Sequence, residues 1–242
     1  FVEAEQKYEK ALAAKGTPGL WARMTAWLAV TVVEPFREYF QRTGMKLGLA
    51  VLLFLFTFKL GEAFLGRMAI VFYKEVGFTD TQIAQYSKLM TAGVTILFSM
   101  AGGLLNARIG IIRGLFVGGL AMAASNLMFS WIAAVGPNEK LYAATIFVDG
   151  FTSAMSTVAF VAFISYFTSH TYTGTQYALL ASVGTLGRTL VSGGSGYVVD
   201  ALGGNWALFF VITALMVIPA LVLLIFVARW LKVRIALWEA EA

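Results

Sequence analysis

After residue 44 the chain is a succession of long apolar runs, each broken by a short polar or glycine-bearing turn. Taken as helices of about 20 residues, the length that crosses a hydrocarbon core, the runs fall at roughly 45–73, 81–107, 112–135, 141–168, 175–200 and 206–229. The short alternating segments of a membrane β-barrel do not occur. The pattern predicts an all-α membrane protein: a six-transmembrane-helix bundle over residues 45–234, preceded by a linker (1–44) and followed by a tail (235–242).

Within the linker, residues 2–15 mix Glu and Lys at i,i+4 spacings and stop at Gly16, Thr17, Pro18 and Gly19, the pattern of a short solvated helix. Leu20 to Val33 is too short for a full span. It sets Trp21 and Trp27 beside Arg23 and then meets Glu34, Pro35 and Phe36, which predicts a helix lying in the membrane interface.

Composition agrees with the pattern, since 59% of the 242 residues are hydrophobic and 13% are charged. The net charge of +5 raises the question of nucleic acid. The basic residues instead gather at one set of helix ends: Lys7, Lys10, Lys15, Arg23, Arg37, Arg42 and Lys46 first, then Arg108 and Arg113, then Arg229, Lys232 and Arg234. Lys74 and Lys140 alone mark the opposite side, so the lipid bilayer is the expected partner and both termini are expected to be cytoplasmic. Cysteine is absent, which excludes disulfides and thiolate metal sites. The chain starts at Phe1 without a signal-peptide pattern, which suggests a portion of a longer polypeptide.

Ionised groups inside a span are costly and face a polar cavity or a partner. The first span carries Lys59, Glu62 and Arg67, the second Lys88, the fourth Asp149 and the fifth Arg188, whereas the third and sixth carry none. Two charged spans followed by an uncharged one, twice over, is a three-plus-three repeat of the kind secondary transporters show, with the site at the repeat interface. Lys59 and Glu62 lie i,i+3 on one face, so they read equally as a structural ion pair and as solute-handling groups.

The polar neighbours of these charges fall on stripes. Lys88, Thr91, Thr95, Ser99 and Gly102 share one face of the second span, and Asp149, Thr152, Ser153, Ser156 and Thr157 one face of the fourth. Such stripes suit a wet cavity, though small and hydroxylated residues also serve helix packing. On the fifth span Gly184, Arg188, Ser192 and Gly196 follow i,i+4 steps, which leaves Arg188 free to hold a carboxylate or phosphate, or to pair with Asp149 or Glu62.

Enzymatic chemistry finds no support here. His170 follows Ser169 in a short loop with no acid nearby, Gly193, Gly194 and Gly196 lack the preceding strand of a nucleotide loop, and no His, Asp and Glu share metal-ligand spacing. No cofactor is expected.

The turn after the second span reads Gly103-Leu-Leu-Asn-Ala-Arg108-Ile-Gly110-Ile-Ile-Arg113. It resembles the loop motif of the major facilitator superfamily, in which conformational change is the implied role of Gly103, Arg108, Gly110 and Arg113. Ala107 stands where that motif has an acid. A longer set of landmarks is similar to the AmpG muropeptide permeases: FREYFQRTG (36–44), FKLGEAF (58–64), VGFTDTQIAQYSK (76–88), Asp149-Gly150 with TSAMSTVAFVAFI (152–164), TQYALLASVGTLGR (175–188) and GYVVDALGG (196–204).

The resemblance runs from about Val33 to Trp230 and covers the C-terminal six-helix half of that fold. It implies a partner N-terminal six-helix half in the same or a separate chain, a bacterial inner membrane, and proton-driven import of anhydromuropeptides. Lys59, Lys88 and Arg188 are then the expected substrate ligands, and Glu62 and Asp149 the expected proton-coupling carboxylates. Two alternatives stay open: a non-transporting structural subunit of a larger membrane complex, and a facilitator of another anionic solute.

Overall fold

The computed structural model describes Lys10 and residues 19–241, with the side chains of Ala22 and of 234–241 outside that description. The solvated helix expected over 2–15 therefore lies outside the described residues, Lys10 apart, as do the side chains of the tail expected from 235. Among the described residues there are helices and turns but no strand.

Two short helices come first, α1 (Gly19–Leu28) and α2 (Glu34–Thr43), joined by a π-helical stretch from Ala29 to Val33. The first span is split into α3 (Met45–Thr57) and α4 (Leu60–Val76). The second is α5, running from Asp80 to Ile109 through a π-helical turn at Ala84–Met90. The third and fourth are α6 (Ile111–Val135) and α7 (Glu139–Tyr166). Next come α8 (Thr173–Ser192) and the short α9 (Ser195–Ala201), then α10 (Trp206–Leu215) and α11 (Val217–Glu241), which meet end to end at Met216.

Among the described residues five helical stretches are long and apolar enough to cross a membrane: Met45–Val76, Asp80–Ile109, Ile111–Val135, Glu139–Tyr166 and Trp206–Val233. The sequence pattern gives six. The difference is the expected span at 175–200, which the structure divides at Gly193–Gly194 and whose inner face carries Thr185, Arg188, Thr189 and Ser192. At 1.5 Å per residue, α8 alone is about 30 Å long. It is polar because of what it lines, and it packs on α3 and α4 inside the bundle.

The expected interfacial helix also differs in detail. Helix continues from Gly19 through the π-helical stretch into α2; Pro35, which has no N–H to give the preceding turn, follows directly on that stretch, where the Glu34 N–H bonds the Ala29 carbonyl. Trp21 and Trp27 are exposed, as an interfacial face requires, whereas Ala26 and Val30 are buried.

The core is two apolar clusters at opposite ends of the bundle. One gathers Phe54 and Phe58 of the first span with Phe163 and Phe167, Leu115 and Leu224. The other packs Phe72 and Tyr73 against Phe129, Tyr142, Phe209 and Phe210. Between them lies a polar layer holding Lys59, Glu62, Ser125, Asn126, Asp149 and Thr213. Asn126 donates to the Thr213 hydroxyl at 3.1 Å, tying the third span to the sixth within that layer.

Close approach of α8 to α3 depends on Gly187, whose Cα faces the Phe56 backbone carbonyl with no room for a Cβ. At the α5–α6 turn Gly110 takes φ +85° and ψ 152°, a region reserved for glycine. Arg108 and Arg113 flank that turn, and Arg42, Lys46, Arg229 and Lys232 belong to the same end of the bundle, where Ile111, Ile112 and Leu231 close the first cluster.

Candidate functional site

The break in the first span places its charges. Helix α3 ends at Thr57, Lys59 takes the non-helical conformation φ −100°, ψ 11°, and α4 starts again at Leu60 with Glu62 in its first turn. An acid there complements the positive end of the restarted helix. Counted from Met45 at 1.5 Å per residue, Lys59 is roughly 20 Å into the span, near the middle of the bundle.

Lys59 is 3% exposed and its ammonium has three neighbours. It forms an ion pair with Glu62, donates to Thr157 Oγ1 at 3.0 Å, and lies 3.9 Å from Met122 Sδ. The other Glu62 oxygen accepts from Ser153 Oγ at 2.9 Å. The ion pair that the i,i+3 spacing allows is therefore present, and hydroxyls of the fourth span secure both of its ends.

Asp149 has a different environment. Its Oδ1 accepts from Ser125 Oγ at 2.9 Å, and Ser125 is shared with Thr152 Oγ1 at 3.4 Å. Among the described residues no cation comes within 4.0 Å of Asp149, so the alternative of a direct Asp149–Arg188 pair is not realised. Among the described residues Arg188 likewise has no carboxylate within that distance.

These groups meet in one cavity of about 710 Å³. Glu62, Asp149, Arg67 and Arg188 supply its charges, and Ser153, Thr185, Thr189 and Ser192 its hydroxyls. Two carboxylates and two guanidiniums thus face a single space, with Lys59 held behind Glu62. The volume falls in the range of small-molecule sites, about 300–1,000 Å³.

Lys88 is not in this lining. It sits in the π-helical turn of α5 on an exposed surface. Of the stripe it heads, Ser99 donates back to the Thr95 carbonyl of its own helix at 2.6 Å, and Gly102 packs against Met155 of α7. Only 17% of the apolar window of α5 is buried, against 56% for the first span, which makes α5 the least covered of the five. Arg67, in contrast, does line the cavity, close to Gly66 and Leu65.

In the turn motif, Gly103 lies against Val158 and Gly110 carries the strained turn, whereas Arg108 and Arg113 are exposed. What motif reading did not single out is Asn106, buried at 6% exposure, whose side chain fills the space that a Cβ on Gly114 would need. Three other contributors also escaped the charge pattern, Ser125, Thr185 and Thr189. Ser125 sits with Asn126 in the third span, and a paired polar dipeptide there is itself a signal that an intramembrane partner exists.

No protein-family model matches the chain. It is 33% identical to the AmpG 4 protein of Rickettsia conorii over 203 residues, 84% of this chain and 48% of that protein. The AmpG 4 protein of Rickettsia felis is 32% identical over 208 residues, 86% of this chain and 49% of the relative. The anhydromuropeptide permease of Escherichia coli is 30% identical over 201 residues, 82% of this chain and 40% of that permease. The chain thus spans about half the length of the curated relatives it matches. With its apolar spans, its midlayer of charge and these relatives together, the chain is a multi-pass membrane protein that belongs to the AmpG permease family.

Proposed function

We propose that this chain acts as the C-terminal six-helix half of a proton-coupled transporter that imports anionic cell-wall fragments of the anhydromuropeptide class across a bacterial inner membrane, with its termini on the cytoplasmic side. The observation that carries this reading is the midlayer cavity in which Arg67 and Arg188 face Glu62 and Asp149. A guanidinium without a carboxylate partner in ion-pair range suits a peptide carboxylate bidentately. The Escherichia coli relative is named for the same solute class.

In this reading Arg188 and Arg67 receive the solute, and Lys59 joins them when Glu62 releases it. Lys88, away from the lining, is the member of the expected ligand set with least support. Asp149 is the leading proton carrier, because its hydrogen-bond partner is a neutral hydroxyl and its protonation can follow the charges that enter and leave the cavity. Glu62 is the second, changing state as Lys59 turns to the solute. Gly103, Arg108, Gly110 and Arg113 form the turn about which the second and third spans rearrange. The N-terminal half supplies the facing wall of the cavity.

The test is uptake of labelled anhydromuropeptide by vesicles containing the protein under an imposed proton gradient. Glu62→Gln or Asp149→Asn abolishes accumulation while some solute exchange persists, and Arg188→Gln weakens both. Gradient-driven accumulation at wild-type level in both carboxylate variants ends the coupling assignment. Failure of the labelled muropeptide to enter, alongside uptake of another anionic solute, moves the substrate to that solute. A non-transporting structural role has no use for a charged cavity, so this chemistry disfavours it.

A further inference from the structure

A second cavity, of about 370 Å³, opens between α6 and α11 and shares no helix with the charged cavity. Its walls are apolar: Phe116 and Val117 on one side, Leu224, Ile225 and Ala228 on the other. Arg113, Arg229 and Lys232 close one mouth. The lining repeats at i, i+1, i+4 and i+5 on both helices, so each presents a single face to the groove.

Three features fix the chemistry of an occupant. The three cations belong to the third and sixth spans, which carry no charge at midlayer depth. All three are exposed, and among the described residues none has a carboxylate within 4.0 Å. Below them the groove runs about 12 Å along α11 from Lys232 to Leu224, and Val117 and Ile225 are 48% and 42% exposed. A hydrocarbon slot topped by three unpaired cations at the membrane surface matches a molecule with an acyl chain and an anionic head.

We propose that this groove is a binding site for one anionic phospholipid, with the phosphodiester held by Arg113, Arg229 and Lys232 and an acyl chain laid between α6 and α11. Basic pockets between membrane helices are suited to such headgroups. The occupant draws the start of α6 and the middle of α11 together, and Arg113 also belongs to the Gly110 turn. Anionic lipid therefore bears on the same turn that joins the second and third spans.

Native mass spectrometry of the protein released from nanodiscs of mixed phosphatidylcholine and phosphatidylglycerol tests this. Wild-type protein retains phosphatidylglycerol in preference to phosphatidylcholine, and the preference falls as salt is raised. The variant R113Q/R229Q/K232Q loses retention about tenfold, since each cation near the surface contributes to anionic-lipid attraction. Ala228→Trp fills the slot and leaves the cations in place, and it lowers retention as well. Equal retention of the two lipids by the wild-type protein overturns the proposal without recourse to any variant. So does unchanged retention in the triple variant. Unchanged retention in Ala228→Trp, with displacement by free glycerol phosphate, assigns the cations to a soluble phosphate and overturns the lipid.

Discussion

Replacing Lys59 by Met is the sharpest test of the midlayer, because it keeps the side-chain length and removes the charge. The buried ammonium is 4% exposed on its side chain and its Glu62 partner 24%. Removing one partner of a buried pair costs about 3–5 kcal/mol, chiefly through the uncompensated charge left behind. Glu62 keeps its bond from Ser153 and touches the cavity, where water and Arg188 reach it, so the lower end applies. We expect Lys59→Met to destabilise by about 3 kcal/mol. Pairing it with Glu62→Gln removes the orphaned charge, and the double variant returns to within about 1 kcal/mol of wild type. Glu62→Gln alone strands the more deeply buried ammonium and costs about 3 kcal/mol as well, so the coupling energy, the two single losses less that of the double variant, is about 5 kcal/mol, well above the scatter of additive pairs. Denaturant titration of the four proteins in one detergent, followed by tryptophan fluorescence, reads the cycle. Additive losses, or a Lys59→Met midpoint equal to wild type, would falsify the view that the two groups form one electrostatic unit.

Three further substitutions probe how the bundle holds that layer in place. Gly187→Ala drives a Cβ into the Phe56 carbonyl and is expected to cost about 1–3 kcal/mol by overpacking, seen as a lower apparent Tm in the same detergent; a Tm within a degree of wild type contradicts so close an α8–α3 approach. Gly110→Ala meets no neighbour, so its cost is backbone strain alone, about 1–3 kcal/mol, and Gly110→Asn should do little better because ψ near 152° is outside the left-handed region Asn tolerates. Gln176, buried at 2% exposure, accepts from the Ser169 amide at 2.7 Å and donates to the Pro35 carbonyl at 2.9 Å and to Glu38. Gln176→Leu strands those groups and should destabilise by about 2–3 kcal/mol, with faster amide exchange at 167–172; unchanged exchange there separates α2 from the loop.

The helices were legible because membrane spans are long, apolar and separated by glycine and charge, and the rule for the ends of a span is the same one that gathers Arg and Lys at a single face. Pairing of Lys59 with Glu62 was legible for a similar reason, since i,i+3 spacing fixes proximity within one helix. Across helices the same information is missing. Nothing in the order of residues says that Thr157 reaches Lys59, that Ser125 rather than Arg188 meets Asp149, or that Lys88 turns away while Arg67 turns in. Those outcomes depend on rotation of each span about its own axis, and a rotation of one residue, 100°, exchanges a cavity face for a lipid face.

The break at Lys59 shows why that rotation matters for function. An uninterrupted helix would put residues 55, 58, 59 and 62 on one continuous stripe, whether apolar or polar. The single non-helical residue Lys59 lets Phe58 enter the apolar cluster at one end while Lys59 and Glu62 enter the polar layer next to it. The break therefore lets a single span serve both environments, and it directs the start of α4 at the middle of the bundle, where a helix terminus favours negative charge. Glu62 occupies that favoured position. On the transport reading proposed above, an incoming carboxylate would compete for the same Lys59 and the same helix terminus, and solute entry and release of Glu62 would be the same event viewed from two sides. If so, Glu62→Gln should bind anionic solute more tightly at equilibrium while failing to concentrate it. Weaker binding in that variant would assign Glu62 to holding the fold alone.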